Sequence, residues 1–260
     1  EFPLEEKNII GELRGNVVEP ISDIRRELWA SLDAPIDSAP LCRRVTPGST
    51  VALVVSDMSR FWMRQDLVVP HLVDYLTQRC GVREDDITIV IANGTHTGGD
   101  EAELRTLVTD AVYDRITVEN HNCDSDDLVY LGTTPHGTPV SINRTAALAD
   151  MVICLGAATH HVMAGFGGGR KSILPGISSR ETIFHNHAFS LDAAALRSNP
   201  AVGNGILQGN PLHEDMCEAA GLVKNLFMVN LVMNTQMRLA AIFSGHYLTS
   251  WEQACRTVNR

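Results

Sequence analysis

No apolar run in these 260 residues approaches the roughly 18 that a membrane-spanning helix needs, and no signal peptide opens the chain. The six cysteines (Cys42, Cys80, Cys123, Cys154, Cys217 and Cys255) include no CxxC pair. Neither a zinc knuckle nor a disulfide framework is therefore signalled, and a reduced, cytoplasmic setting is expected. Positive charge is short as well. With 21 Lys and Arg against 31 Asp and Glu, the formal net charge of -10 argues against a nucleic-acid or anionic-membrane partner. The chain opens on Glu1 rather than Met and stops at Arg260 just after a helical pattern, so it reads as an excised piece of a longer protein. What remains, 44% hydrophobic and 20% charged, is ordinary globular composition with length enough for a full core.

The opening, Glu1 to Gly15, is charged and weakly patterned, with NIIGELRG as an edge-strand candidate. A helix is predicted over 21–32, where Ile21, Ile24, Leu28 and Leu32 share one face. Ser49 to Asp57, Ile87 to His96 and Met151 to Gly156 are nearly continuous apolar runs, as strands buried on both faces of a parallel sheet require. Helices between them (about 68–80, 101–113 and 143–150) supply the crossovers. Shorter strands are expected over 116–122, 128–134 and after the turn in TPHGTPVSINR, with 190–209 as loop. A helix near 212–222 and a strand near 226–233 finish the sheet. The fold expected is α/β, an open, mostly parallel, Rossmann-like sheet with helices on both faces. Parallel buried strands place their C-terminal ends on one edge, and here those ends carry Asp57 and Arg60, His96, and His160 with His161.

The third of these strands leads into HHVMAGFGGGRKSILPGISSRETIFHNH, His160 to His187, which holds four imidazoles, an Arg-Lys pair and three consecutive glycines. Gly167, Gly168 and Gly169 allow the close backbone approach that suits amides around a phosphate, although a tight turn alone would explain them. GFGGGRKS is not a Walker A loop, because Arg170 stands where that motif needs glycine. Ser178-Ser179-Arg180-Glu181 fits a capping box, so a helix starts at about Ser179 and its amides offer a second anion seat. His185 and His187 lie two residues apart on that helix, so only one can face a given site. His160 or His161 can serve as a general base near neutral pH. Asp57 can orient a histidine or a ribose hydroxyl, and Arg60 can hold a carboxylate by a two-point fork; a helix cap and a surface charge are the bland alternatives.

Taken in order, VSDMSR (55–60), ANGTH (92–96), LGTTPHGTPV (131–140), HVMAGFGGGRKSILPGISSRETI (161–183), NH (186–187) and GNP (209–211) resemble the nickel-dependent lactate racemases and related 2-hydroxyacid racemases and epimerases. The resemblance runs from about Leu28 to the end and implies a nickel-pincer nucleotide, a pyridinium mononucleotide with two sulfur groups. It implies covalent attachment at Lys171, nickel bound by His187, His96 and His161 as acid/base histidines on opposite faces of the substrate, and Asp57 at the cofactor; the amides of Gly168, Gly169 and Ser179, read above as anion seats, are then expected around its phosphate. Arg60 then meets the substrate carboxylate. The implied reaction is oxidation of a small 2-hydroxyacid by hydride transfer to the pyridinium ring, followed by return of hydride to the other face of the 2-keto acid. Cofactor-synthesis enzymes become partners, residues 1–260 become an N-terminal cofactor-binding domain, and a C-terminal domain is missing. Thr97, where the family often has Arg, and His160, where Pro is frequent, depart from the pattern. Two other readings stay open: a cofactor- or phosphate-binding domain without activity of its own, and an NAD-dependent dehydrogenase, for which no GxGxxG follows the first buried strand.

Overall fold

A computed structural model describes residues 5–11 and 15–259. In chain order the main elements are α1 (Ile24–Asp33), α2 (Leu41–Arg44), β1 (Val51–Ser56), α3 (Val69–Asp74), β2 (Ile87–Ala92), α4 (Glu101–Val108), α5 (Asp110–Tyr113), β3 (Thr117–Asn120), β4 (Val129–Thr133) and β5 (Pro139–Ile142). They are followed by α6 (Arg144–Leu148), β6 (Met151–Ala157), β7 (His160–His161), β8 (Ala164–Phe166), α7 (Arg180–Ala188), β9 (Leu191–Asp192), β10 (Arg197–Ser198) and β11 (Gly203–Asn204). The chain closes with α8 (Pro211–Gly221), β12 (Leu226–Met233), β13 (Leu239–Gly245) and α9 (Thr249–Val258). Among the described residues no helix is long and apolar enough to cross a membrane.

The central sheet has the order β13-β12-β6-β1-β2-β3. Residues alternate between its faces as the two-residue strand period demands. Val51, Leu53 and Val55 pack with Leu28, Leu72 and Leu104 beneath α1, α3 and α4. Ala52 and Val54 pack with Ala146, Ile183, Leu212 and Met216 beneath α6, α7 and α8. Burial on both faces is why β1 and β6 read as unbroken apolar runs.

The sheet is mixed rather than wholly parallel. Its neighbours pair in parallel from β12 through β3, but β13 returns antiparallel along β12. The expected sheet ended at β12, because LAAIFSG lies half exposed on an edge and lacks the signature of a buried strand. The connection is too short for a crossover and forces the antiparallel return. Asn234 Oδ1 accepts from the amides of Gln236 and Arg238 to close it. β4 and β5 form a separate hairpin outside the main sheet. The edge strand expected over 8–15 falls partly outside the described residues, and 9–11 carry no strand. The stretch 190–209 is irregular except for the two-residue pieces β9, β10 and β11.

Candidate functional site

β6, β1 and β2 are adjacent and in register, with Val54 opposite both Val90 and Cys154, so their C-terminal ends lie level. Beyond that edge is a cavity of about 350 Å³ whose walls include Asp57, Arg60, His96, His161, Lys171 and His187. Gly168 lines it too. Residues spread over 130 positions of sequence thus meet because parallel strands aim their ends the same way.

Asp57 follows β1 directly and is nearly buried, with 12% of its side chain exposed. Its Oδ2 is 2.5 Å from His96 Nδ1, and its Oδ1 accepts from the Ser59 hydroxyl at 2.6 Å. Of the two partners open to Asp57 from sequence, the geometry supplies the histidine. Because a carboxylate only accepts, Nδ1 of His96 carries the proton and Nε2 presents a lone pair. Arg60 has no carboxylate partner among the described residues; one guanidinium nitrogen reaches the Ser59 hydroxyl at 3.0 Å. Its fork remains available to an anionic ligand.

His161 stands at the other wall. Its Nδ1 accepts from the amides of Met163 (3.2 Å) and Ala164 (3.1 Å), which close the tight turn between β7 and β8. Burial, followed by the charges of Lys171, Arg170, Arg60 and His187, lowers its pKa to about 4. His160 points elsewhere, onto Phe166 and Asn204.

Lys171 sits in the cavity wall, and no described residue accepts a hydrogen bond from its amine. Burial, with the neighbouring positive charge of Arg170 and then Arg60, lowers its pKa to about 7. A good part of this amine is therefore neutral near physiological pH, the state a nucleophilic lysine needs. Arg170 faces the opposite way and is wholly buried without a carboxylate. It donates to the carbonyls of Ala164 (2.6 Å) and Phe166 (2.8 Å) and to His213 Nδ1 (3.2 Å), and stacks over Trp251 at 3.9 Å. It thereby clamps the glycine loop from behind.

On α7 the two histidines separate as the helical period requires. His187 lines the cavity and His185 is exposed. His187 Nδ1 donates to the carbonyl of Ile183 at 3.0 Å, so its Nε2 keeps a lone pair for a metal.

Two of the residues named from sequence are not brought to the cavity. Ser179 caps α7, accepting from the Thr182 amide, while its own amide is taken by the Ser141 carbonyl at 2.8 Å. The second anion seat is thus already filled from within the chain. Gly169, at φ +54°, packs against Trp251, where an added Cβ would lie 2.5 Å from the indole ring. Gly169→Ala should therefore cost roughly 1–3 kcal/mol or more through overpacking. Thermal melting should show the loss, at about 2–4 °C for each kcal/mol.

Asn93, just past β2, was passed over in the sequence although it lies in ANGTH. It lines the cavity and is buried, and its Nδ2 holds Asn120 Oδ1 and the His121 carbonyl while its Oδ1 has no partner. Its position at a strand end, three residues before His96, is the signal that would have found it.

Other motif residues lie behind α7. Asp215, fully buried, accepts from Thr134 (2.6 Å), Thr138 (2.9 Å) and Asn186 (2.8 Å). His136 Nδ1 donates to Glu218 at 2.8 Å. His136, Asp215 and Glu218 form a potential metal-binding cluster, with ligand atoms within 4.8 Å of one another. None of the three lines the cavity. The network ties the β4–β5 hairpin and α8 to the residue next to His187.

The family model described as the lactate racemase N-terminal domain matches residues 1–198. The lactate racemase of Thermoanaerobacterium thermosaccharolyticum is 29% identical over 261 residues, which covers 99% of this chain and 59% of that protein. The lactate racemase of Lactiplantibacillus plantarum is 30% identical over 226 residues, covering 86% of this chain and 51% of that protein. The chain spans about half to three fifths of the length of these curated relatives. The solved apoprotein structure of the T. thermosaccharolyticum lactate racemase superposes with a TM-score of 0.83 at 27% identity, covering 98% of this chain and 58% of that one. A Thermotoga maritima protein at 19% identity shares the fold, with a TM-score of 0.67.

Proposed function

The chain belongs to the lactate racemase N-terminal domain family, and from that premise we propose that residues 1–260 are the cofactor-holding domain of a racemase or epimerase of a small 2-hydroxyacid. The observation that carries this is the meeting of Lys171, His187, His96 and His161 around one cavity at the C-terminal edge of the sheet. That edge is where open α/β sheets of Rossmann-like design bind ligands.

The residues present fit a nickel-pincer nucleotide. Lys171 offers an amine that no described residue holds, with its pKa lowered to about 7. His187 offers Nε2, its other nitrogen being held by Ile183. Once bound, that group would supply a reversible hydride acceptor. The chain's own groups do the rest. Arg60 receives the substrate carboxylate, His96 and His161 meet the substrate oxygen, and Asp57 fixes the His96 ring. Phe184 and Trp62 cover part of the cavity. His96 keeps 54% of its side chain exposed, leaving a surface for the C-terminal domain that the family resemblance implies.

A cofactor-binding domain without chemistry of its own is separated from this reading by single-enantiomer assays. The full-length protein, made together with cofactor-synthesis enzymes, should invert at least one 2-hydroxyacid with the carbon-bound deuterium of a labelled substrate retained. Absence of inversion across a broad panel would overturn the proposal. In parallel, His187→Ala should lose the nickel found by metal analysis while His185→Ala keeps it. An NAD-dependent dehydrogenase finds no support, since a 3-10 turn over Met58–Met63 follows β1 in place of a glycine fingerprint.

A further inference from the structure

We propose that Cys42 and Cys80 are an oxidisable pair: a low-molecular-weight disulfide of the glutathione type converts the two thiols into a disulfide bond that joins α2 to the far end of the α3 helix. Neither residue lines the cavity, so the pairing stands whether or not the racemase reading holds.

All six cysteines are free thiols, and their spacing signals no framework, but the fold brings two of them together. Cys42 Sγ and Cys80 Sγ lie 2.7 Å apart although 38 positions separate them in sequence. A disulfide bond needs ~2.05 Å, so closing it asks for movement of well under ~1 Å. Among the described residues no other two sulfurs are within hydrogen-bonding reach. Cys217, the other partly exposed cysteine, has the ring of His213 beside it at 3.6 Å instead.

Both backbones are held where the pair needs them. Cys80 caps the π-helical turn Tyr75–Arg79 that continues α3, and its amide donates to the Tyr75 carbonyl at 3.2 Å. That turn is fastened to α1, because Asp33 accepts from the Tyr75 hydroxyl (2.6 Å) and from Arg79 (3.0 Å). Cys42 stands in α2 beside the buried Tyr75 hydroxyl. Just beyond α2, Pro47 lies against Gly81, where an added Cβ would be 3.2 Å from the proline ring.

Exposure divides the roles. Cys42 is partly exposed and Cys80 is buried, so the oxidant meets Cys42 first. The Cys42 thiolate attacks one sulfur of the small disulfide, forming a mixed disulfide and releasing one small thiolate. Burial, and then the hydrogen bond with Cys42, push the Cys80 thiol well up, so Cys80 waits as a thiol and resolves slowly. Its proton passes to the released thiolate while its sulfur attacks Cys42 Sγ and expels the second small thiolate. That thiolate takes up the proton Cys42 gave away. Two protein thiols and one small disulfide thus become one protein disulfide and two small thiols, and the two electrons lost by the cysteines reduce the small disulfide.

The chain, reduced and then exposed to excess oxidised glutathione at about pH 8, should lose about 2 Da for the two hydrogens and give a peptide joining Cys42 to Cys80 in a non-reducing digest. Dithiothreitol should restore the reduced mass. In Cys80→Ser the reaction should stop with glutathione held on Cys42, whereas Cys42→Ser should leave Cys80 unmodified. Cys217→Ser should form the cross-link as the parent chain does. The bridge closes a loop containing all of β1, so the oxidised chain should melt roughly 5–10 °C above the reduced one. The digest of the unsubstituted chain decides the pairing even where a variant fails to fold. A Cys42 that stays free, or that keeps glutathione in the parent chain, would overturn the proposal. So would a cross-link that lowers the melting temperature, since the native backbones would then not hold the pair ready.

Discussion

Lys171→Met is expected to make the chain more stable while abolishing covalent loading. Burial and the charge of Arg170 lower the Lys171 pKa to about 7 in the folded state, from its ordinary value of 10.5. Between these two values the unfolded chain holds a proton that the folded chain has released. Stability contributed by this residue therefore rises with pH across that window. Below about pH 7 both states are protonated, and the folded state carries the full penalty of a desolvated cation. Methionine fills similar volume without charge, so the rise in melting temperature of the unloaded chain should be largest below pH 7 and fade towards pH 10.5. Each kcal/mol relieved should add ~2–4 °C. The same substitution removes the nucleophile. Intact mass of protein made with the cofactor-synthesis enzymes should show no adduct, and racemisation should fall to background. A melting temperature that drops at pH 6 would contradict the burial argument. An adduct that persists in Lys171→Met would contradict the attachment site. Such opposition between stability and activity is expected where a functional group is held under strain.

Asp57→Asn should cost ~10²–10⁴-fold in turnover with nickel content unchanged. The amide is close to the carboxylate in size, so the cavity keeps its shape. It can, however, present an N–H to His96 Nδ1, which then becomes the acceptor and moves the ring proton to Nε2. The nitrogen that should take the hydroxyl proton would already carry one. Ser59 loses its acceptor on Oδ1 as well, or competes for the remaining oxygen. Steady-state rates in both directions, together with metal analysis, check this. A loss below tenfold would show that Asp57 matters for packing rather than for the tautomer. A parallel loss of nickel would place it with the cofactor instead.

Much of the fold was legible in the residues. The runs at Val51–Ser56, Ile87–Ala92 and Met151–Ala157 are apolar on both faces because helices cover both faces, and that alone predicts neighbouring parallel strands. The edge strand β13 was not legible, since one exposed side and a short return leave a pattern shared by many loops. The cavity residues fall on strand ends or within the glycine loop and α7, so position along the chain pointed to them. Ser179 caps α7 as its sequence suggests, but it does not line the cavity, for a physical reason. A capping serine reads as an exposed helix start, yet here its amide is consumed by Ser141 from a hairpin far along the sequence.

Periodicity and strand-end chemistry, which are local, therefore determined the α/β class, the sheet edge that matters and most of the residues around the cavity. Only the tertiary structure decided between His185 and His187, because helical phase has meaning only once α7 has a face to bury. It alone paired Asp57 with His96 and gave His161 two amides, since hydrogen-bond partners across 39 residues of sequence, or around a tight turn, depend on where the backbone goes. It likewise turned Arg170 inward and Lys171 towards the cavity. Adjacent side chains point apart, and the carbonyls and indole ring able to hold a buried guanidinium exist only on one side of the loop.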